Sequence, residues 1–181
     1  MNISMNQSVS QYLLALNSVH WRKPEEFSFP TVNTKQWLLE KGSLSHLLAC
    51  CCDEFNVELI SNDFIQEDDL SDDEINLLSE EVCLLRKVIL TGDDQPWIFG
   101  RTLIPQSSLQ NQQYDLIKQG NTPLGVTVFS LDDTHRDALE IGVAILDGQY
   151  LFARRSRLWM NHKPMLVAEL FLPESPIYSK E

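Results

Sequence analysis

Two charged side chains, Arg86 and Glu169, stand inside segments that are otherwise strongly apolar. Glu169 lies within Met165–Leu172, and Arg86 lies within Val82–Leu90. Burying an unpaired carboxylate or guanidinium is costly, so such residues normally have a partner or bind a ligand. The two residues predict a site for a small anionic ligand, in which Arg86 binds a carboxylate and Glu169 bonds to a hydroxyl group.

Strand periodicity supports this prediction, because alternate residues of a strand share a face. Arg86 and Glu169 are each the single polar member of an apolar face in a predicted strand. Arg101 lies in the same way on an apolar face of another predicted strand. Two alternatives stay open. Arg86 and Glu169 could form a plain salt bridge, and Arg101 could pair with an acidic residue at the sheet edge. Three further arginines are interpreted as surface charges: Arg154, Arg155 and Arg157.

Composition and charge limit the class of protein. The 181 residues are 43% hydrophobic and 22% charged, which is typical of a globular protein. This length predicts a single domain over residues 1–181, in which residues 1–32 form a helical extension and not a separate domain. The formal net charge of −12 argues against nucleic acid and anionic membrane surfaces as partners. No apolar run approaches the roughly 18 residues of a membrane span, and no signal peptide is evident, so a cytoplasmic protein is expected.

The negative charge is unevenly distributed along the chain. Twelve acidic residues and no Lys or Arg lie from Asp53 through Glu81, a stretch interpreted as solvated surface. An anionic substrate would be repelled by the molecule as a whole. Its site must therefore rely on local, partly desolvated positive charge.

Motifs for several kinds of chemistry are missing from the sequence. It contains no G-x-G-x-x-G, no G-x-x-x-x-G-K-[ST], no H-E-x-x-H and no G-x-S-x-G. The four cysteines lack C-x-x-C spacing and are interpreted as reduced thiols, and the four histidines are scattered. We therefore expect a reaction without metal or cofactor, one that proceeds when its substrate is correctly held.

Predicted helices come first and predicted strands follow. Helices are expected at Gln11–Val19, from a cap at Asn33 or Thr34 to Gly42, from Ser43 to Cys51, at the start of Asp72–Leu85 and over Ser108–Lys118. Strands are expected at Val57–Ile65, Leu84–Leu90, Trp97–Ile104, Leu124–Phe129, Ala138–Val143, Gln149–Trp159 and Met165–Leu172, with turns at Thr91–Pro96 and Asn161–Pro164. This order predicts an α+β fold with an antiparallel sheet flanked by helices.

Six segments, taken in order, resemble the chorismate pyruvate-lyase family. They are Trp37–Ser45, Leu85–Leu90, Pro96–Pro105, Thr122–Gly125, Ala153–Arg157 and Lys163–Pro173. The likeness runs from about Trp37 to Tyr178 and includes both buried charges. It implies a single α+β domain with an enclosed cavity, and removal of pyruvate from chorismate to give 4-hydroxybenzoate, a step toward ubiquinone, without a cofactor.

The resemblance also implies roles for particular residues. Arg86 stands where the family arginine binds the aromatic carboxylate, and Glu169 stands where the family glutamate meets the phenol hydroxyl. Leu44 and Leu124 match two positions whose main-chain amides contact the ligand. The family often has methionine in place of Leu44, a difference that should matter little for a backbone contact.

Further expectations concern mechanism. Arg101, or else Arg154 or Arg155, is expected to meet the enolpyruvyl carboxylate. Glu169, if desolvated, could also accept a proton, although positioning of the substrate ranks above base catalysis. An enclosed site predicts slow release of 4-hydroxybenzoate and inhibition by it. The competing hypotheses are a non-catalytic domain that binds a small aromatic acid as an effector and a purely structural domain. A monomer is expected.

Overall fold

The sheet is built from six β-rich segments, and short turns make three of the five connections between them. The computed structural model describes residues 3–110, 115–129 and 133–180. Its strands are β1 (Phe55–Ile65), β2 (Cys83–Gly92), β3 (Gln95–Pro105), β4 (Thr134–Leu146), β5 (Gln149–Met160) and β6 (Lys163–Phe171). They form one antiparallel sheet in the order β1-β2-β3-β6-β5-β4. The predicted α+β fold with an antiparallel sheet flanked by helices is confirmed.

Three tight turns join neighbouring strands and fix their register. Both residues have positive φ in the turns Asp93-Asp94, Asp147-Gly148 and Asn161-His162. Asn, Asp and Gly tolerate this conformation best, and two-residue hairpin turns of this kind match the twist of the flanking strands. The predicted turns before Trp97 and after Met160 therefore lie where the sequence places them.

The helices are short and are mostly capped by local side chains. They are α1 (Ile3–Asn17), α2 (Val32–Leu38), α3 (Leu44–Ala49), α4 (Asp72–Leu77), α5 (Gln106–Leu109) and α6 (Leu124–Phe129), with 3-10 segments at Pro24–Glu26, Glu67–Asp69, Leu116–Lys118 and Pro176–Tyr178. The Ser43 hydroxyl accepts from the His46 amide at the start of α3, as the sequence predicts. The cap of α2 is Thr31 and not Asn33 or Thr34.

Two predictions of secondary structure are wrong. Leu124–Phe129 is a helix and not a strand, because Pro123 favours a helix start and contacts with α3 override the β propensity of Val and Thr. The predicted helix over Ser108–Lys118 is not continuous. Its first part ends at Leu109, where Gln110 turns extended, and a 3-10 turn follows at Leu116–Lys118. Residues 111–114 lie outside the described residues.

The sheet separates two layers of core. One face packs against α1 through a cluster that includes Phe99 and Leu170. The same face packs against the segment that contains α4 through a second cluster, which includes Leu103 and Leu166. The opposite face packs against α2, α3 and α6, through clusters that include Ile98 and residues of β5 and β6. Among the described residues, no helix is long and apolar enough to cross a membrane.

Candidate active site

A cavity lies between the sheet and the helices α3 and α6. Its floor consists of alternate residues of β2, β3 and β6, and its cover consists of residues at the starts of α3 and α6. The volume of the cavity is about 60 Å³. A single water needs roughly 10–15 Å³ by the same measure, so the cavity is large enough to hold a small molecule or several waters.

Arg86 reaches this cavity from β2 and is 2% exposed. Its Nη2 donates to the Thr122 carbonyl at 3.1 Å, whereas its buried Nη1 has no hydrogen-bond partner among the described residues. Burial lowers the pKa of Arg86, because desolvation disfavours the charged form. A buried guanidinium with an unused donor on a cavity wall is suited to binding a carboxylate.

Glu169 lines the same cavity from β6 and is paired with Arg154 of β5. The two residues lie directly opposite each other in the strand register. Arg154 Nε donates to Glu169 Oε2, and Arg154 Nη2 lies 3.4 Å from Oε1. A carboxylate held in this way offers its oxygens only as hydrogen-bond acceptors. The described structure has no Arg86–Glu169 salt bridge, so that alternative is excluded.

Leu44 and Leu124, the two positions expected to contribute main-chain amides, stand at the first residues of α3 and α6 and line the cavity. The two helices approach each other closely at Gly125, where an added Cβ would lie 2.8 Å from the Ser43 Oγ. The start of each helix carries backbone amides that the helix itself does not use. The cover therefore places amide donors beside the cavity from two separate segments.

Arg101 does not reach the cavity. Arg86 pairs across β2 and β3 with Thr102, and Glu169 pairs across β3 and β6 with Gly100, so Arg101 points to the opposite face. There it forms an ion pair with Glu74 at 2.6 Å. The expectation that Arg101 meets a ligand carboxylate is not supported by its position, and its pairing alternative is the one observed.

The three arginines of β5 are not free surface charges. Arg154 is fully buried, and Arg155 is buried and pairs with Glu140 at 2.8 Å on the face that points away from the cavity. Arg157 is half-buried and binds Asp137 through two 2.8 Å hydrogen bonds. The sequence interpretation was wrong because it treated these arginines one strand at a time, without their partners on β4 and β6.

The sequence analysis missed one cavity residue, Arg136 of β4. Its guanidinium lies 5.7 Å from the Phe129 ring centroid and bonds to the Ser156 hydroxyl and to the Lys41 and Gly42 carbonyls. Burial lowers its pKa to about 10; the nearby positive charge of Arg154 adds to this effect, and the carboxylates of Glu169 and Glu40 oppose it. No carboxylate forms an ion pair with Arg136 in the described part of the chain.

A β-bulge in β4 explains why the sequence analysis did not assign Arg136 to a strand. The β4–β5 register shifts between Asp137 and Glu140, and Ala138 has a φ of +48°. A bulge breaks the alternation that predicts a strand, so the predicted strand began at Ala138 and left Arg136 outside it. An arginine in the residues just before a predicted strand was the available clue.

The charges around the cavity leave two cations without carboxylate partners. Arg154 is matched by Glu169, whereas Arg86 and Arg136 are not ion-paired within the described residues. The same described ranges contain no cluster of three or more His, Cys, Asp or Glu side chains placed to hold a metal ion. In a largely apolar cavity this arrangement favours a small organic dianion.

The fold and the site define an antiparallel α+β protein with a covered, arginine-lined cavity. A family model described as chorismate lyase matches residues 15–181. The chain is 58% identical to the "probable chorismate pyruvate-lyase" of Vibrio parahaemolyticus, over 98% of this chain and 99% of that protein. It is 37% identical to the chorismate pyruvate-lyase of Hamiltonella defensa, over 90% of each chain. The chain belongs to the chorismate lyase family.

Solved structures resemble this chain in fold alone. The ligand-binding domain of a GntR-family transcriptional regulator from Bordetella bronchiseptica has a TM-score of 0.53 at 11% identity, covering 67% of this chain and 86% of that chain. The effector domain of PhnF from Mycobacterium smegmatis has a TM-score of 0.52 at 12% identity, covering 74% and 90%. The same architecture therefore occurs in ligand-binding domains of regulators.

Proposed function

We propose that this protein eliminates pyruvate from chorismate and releases 4-hydroxybenzoate, the entry step toward ubiquinone. The observation that carries the proposal is the pair of cavity arginines, buried Arg86 and half-buried Arg136, neither of which forms an ion pair among the described residues. Chorismate has two carboxylates, so its two negative charges match these two cations. Membership of the chorismate lyase family supports the same reaction.

The positions of the charges suggest how the substrate is held. Arg86 binds the ring carboxylate, and Glu169 accepts a hydrogen bond from the 4-hydroxyl. Arg136 takes the role expected earlier of Arg101 and binds the enolpyruvyl carboxylate. The backbone amides of Leu44 and Leu124 supply further donors from the cover. All five residues line the cavity, which supports this pose.

The reaction then depends chiefly on position and charge. On C4 of chorismate the hydrogen lies on the same side of the ring as the C3 ether oxygen. The C3–O bond breaks, the C4 hydrogen moves to the methylene carbon of the enolpyruvyl group, and the ring becomes aromatic. Pyruvate gains the methyl group formed in this transfer, so the atoms balance without water or a co-reactant. Arg136 stabilises the charge that develops on the leaving group.

Glu169 acts mainly by positioning the hydroxyl. Its carboxylate, held by the ion pair with Arg154, accepts the hydroxyl hydrogen bond and orients C4. The reaction needs no separate base, because the hydrogen lost from the ring is the one gained by pyruvate. We assign the reaction no metal or cofactor, and we place the protein in the cytoplasm as a monomer.

The test is direct. Purified protein mixed with chorismate should form pyruvate and 4-hydroxybenzoate in equal amounts, measured by coupled assay and by chromatography against the 3-hydroxy isomer. Tight binding of 4-hydroxybenzoate without pyruvate formation would favour the alternative, a non-catalytic effector-binding domain. A 3-hydroxybenzoate product would keep the lyase class and overturn the assigned pose.

A substitution of Arg136 distinguishes its proposed role from that of Arg86. Arg136→Met should weaken chorismate binding by roughly tenfold or more, yet change the affinity for 4-hydroxybenzoate much less, because that product lacks the second carboxylate. Lys87→Met is the matched control, since Lys87 lies on β2 but faces away from the cavity. Equal losses for both ligands would remove Arg136 from the assigned role.

A further inference from the structure

Arg154 is the largest fully buried side chain in the described residues, and it does not line the cavity. All three of its nitrogens have partners. Nε and Nη2 bond to Glu169, and Nη1 donates to the Glu40 carbonyl at 2.8 Å and to the Trp37 carbonyl at 3.4 Å. Each nitrogen thus has a protein partner, and the guanidinium lies beside Glu169 on the neighbouring strand.

We propose that Arg154 is a positioning residue: it keeps the Glu169 carboxylate charged and in one orientation, and it ties that carboxylate to the α2–α3 connection. The inference rests on the proposed function, because it gives Arg154 its effect through the substrate contact of Glu169. We assign Arg154 no catalytic role, since it does not line the cavity.

The geometry accounts for the orientation. Arg154 and Glu169 are cross-strand neighbours, and a guanidinium offers its donors in a fixed planar fork. Two nitrogens on two carboxylate oxygens restrict rotation of the Glu169 side chain. The third nitrogen holds the carbonyls at the end of α2 and just beyond it, in a connection that leads to Leu44. One side chain therefore couples the floor and the cover of the cavity.

The surrounding charges determine whether the charge state of the Glu169 carboxylate depends on Arg154. Arg154 on β5 pairs with Glu169, Arg136 on β4 interacts with it electrostatically, and Arg86 on β2 lines the same cavity. Glu40 in the α2–α3 connection adds a negative charge that acts on Arg136. Only Arg154 forms an ion pair with Glu169 within the described residues. In a desolvated site, removal of the paired cation disfavours the carboxylate form. Glu169 would then take up a proton and donate to the hydroxyl instead of accepting from it.

The experiment compares Arg154→Met with Arg155→Met. Arg155 is the next residue on β5, is also buried, and also loses an ion pair, but it faces away from the cavity. Arg154→Met should lower kcat/KM for chorismate roughly tenfold or more at pH 7, with activity recovering as the pH rises and Glu169 loses its proton. Arg155→Met should keep the wild-type pH profile.

Two further variants separate charge from orientation. Arg154→Lys keeps the charge without the planar fork, so it should retain the wild-type pH profile and lower kcat. In Arg154→Met combined with Glu169→Gln, the new pH dependence should disappear, because the amide does not titrate. Arg154→Met or Arg154→Lys with the wild-type rate and pH profile would overturn the inference, and Arg154→Lys keeps it testable if Arg154→Met does not fold.

A readout without substrate separates this inference from the proposed function. Difference infrared spectroscopy should detect a protonated carboxyl near neutral pH in Arg154→Met that is absent from Arg155→Met and from the double variant. If this band appears although wild-type protein forms no pyruvate, the proposed reaction fails while the charge effect of Arg154 stands. If pyruvate forms and the band does not appear, the inference on Arg154 fails alone.

Discussion

Arg86 and Glu169 line one cavity from strands β2 and β6 and do not bond to each other. Strand β3 lies between them, with Thr102 opposite Arg86 and Gly100 opposite Glu169. Gly100 has no side chain and lines the cavity between the two charged groups, where an added Cβ would lie 3.0 Å from Val88 Cγ2. The cationic and anionic ends of the site are therefore separated by the width of one strand, which leaves room for a ligand between them.

The first prediction concerns ligand affinity. Arg86→Met should weaken 4-hydroxybenzoate binding by roughly one to two orders of magnitude, because a charge-assisted hydrogen bond contributes about 1.5–3 kcal/mol. Titration calorimetry measures this change. Lys87→Met, which alters a cation on the other face of the same strand, should leave the affinity unchanged. Unaltered binding by Arg86→Met would exclude Arg86 as the carboxylate-binding residue.

The substitution Arg86→Met, although it weakens ligand binding, should stabilise the ligand-free protein. Arg86 is buried, and one of its nitrogens lacks a partner among the described residues, so the folded protein bears an uncompensated desolvation cost. Arg86→Met should raise the free energy of unfolding by about 1 kcal/mol in the absence of ligand. Denaturant titration with and without product measures it. A clear loss of stability would mean that Arg86 has a mainly structural role.

Slow product release is a prediction from the covered cavity. 4-Hydroxybenzoate should inhibit turnover, and progress curves should slow as it accumulates. Gly125→Ala should weaken this inhibition severalfold, because the added Cβ would lie 2.8 Å from the Ser43 Oγ and push α6 from α3. Adding Ser43→Ala removes that oxygen and should restore inhibition, at a cost of about 1 kcal/mol for the lost helix cap. Progress curves indifferent to added product would refute slow release.

A pH prediction follows from the ion pair beside Arg136. Hydrogen bonds from Arg157 lower the pKa of Asp137, so the carboxylate contributes stability above its ordinary pKa and loses it as the pH falls through the lowered value. Both side chains are partly exposed, which reduces the effect. Asp137→Asn should cost about 0.5 kcal/mol at pH 7, and the difference from wild type should vanish in strong acid. A difference that is constant from pH 7 into strong acid would contradict this assignment.

The sequence by itself determined the class of fold and predicted two charged residues that line the cavity. Arg86 and Glu169 were found because alternation along one strand places a single charge on an apolar face. The hairpin turns and the Ser43 cap were found because they depend on a few adjacent residues. The motifs resembling chorismate pyruvate-lyase predicted the family.

The tertiary structure decided which charges meet. Periodicity gives each strand two faces but not the register with its neighbour, so Arg101 was assigned to the cavity and instead points away from it. Arg136 was missed because a bulge hides its strand, and Leu124–Phe129 is helical because of its packing. The partner of Glu169 is Arg154, its cross-strand neighbour in the β5–β6 hairpin, so the pairing follows from the register of the hairpin, which the alternation of neither strand gives alone.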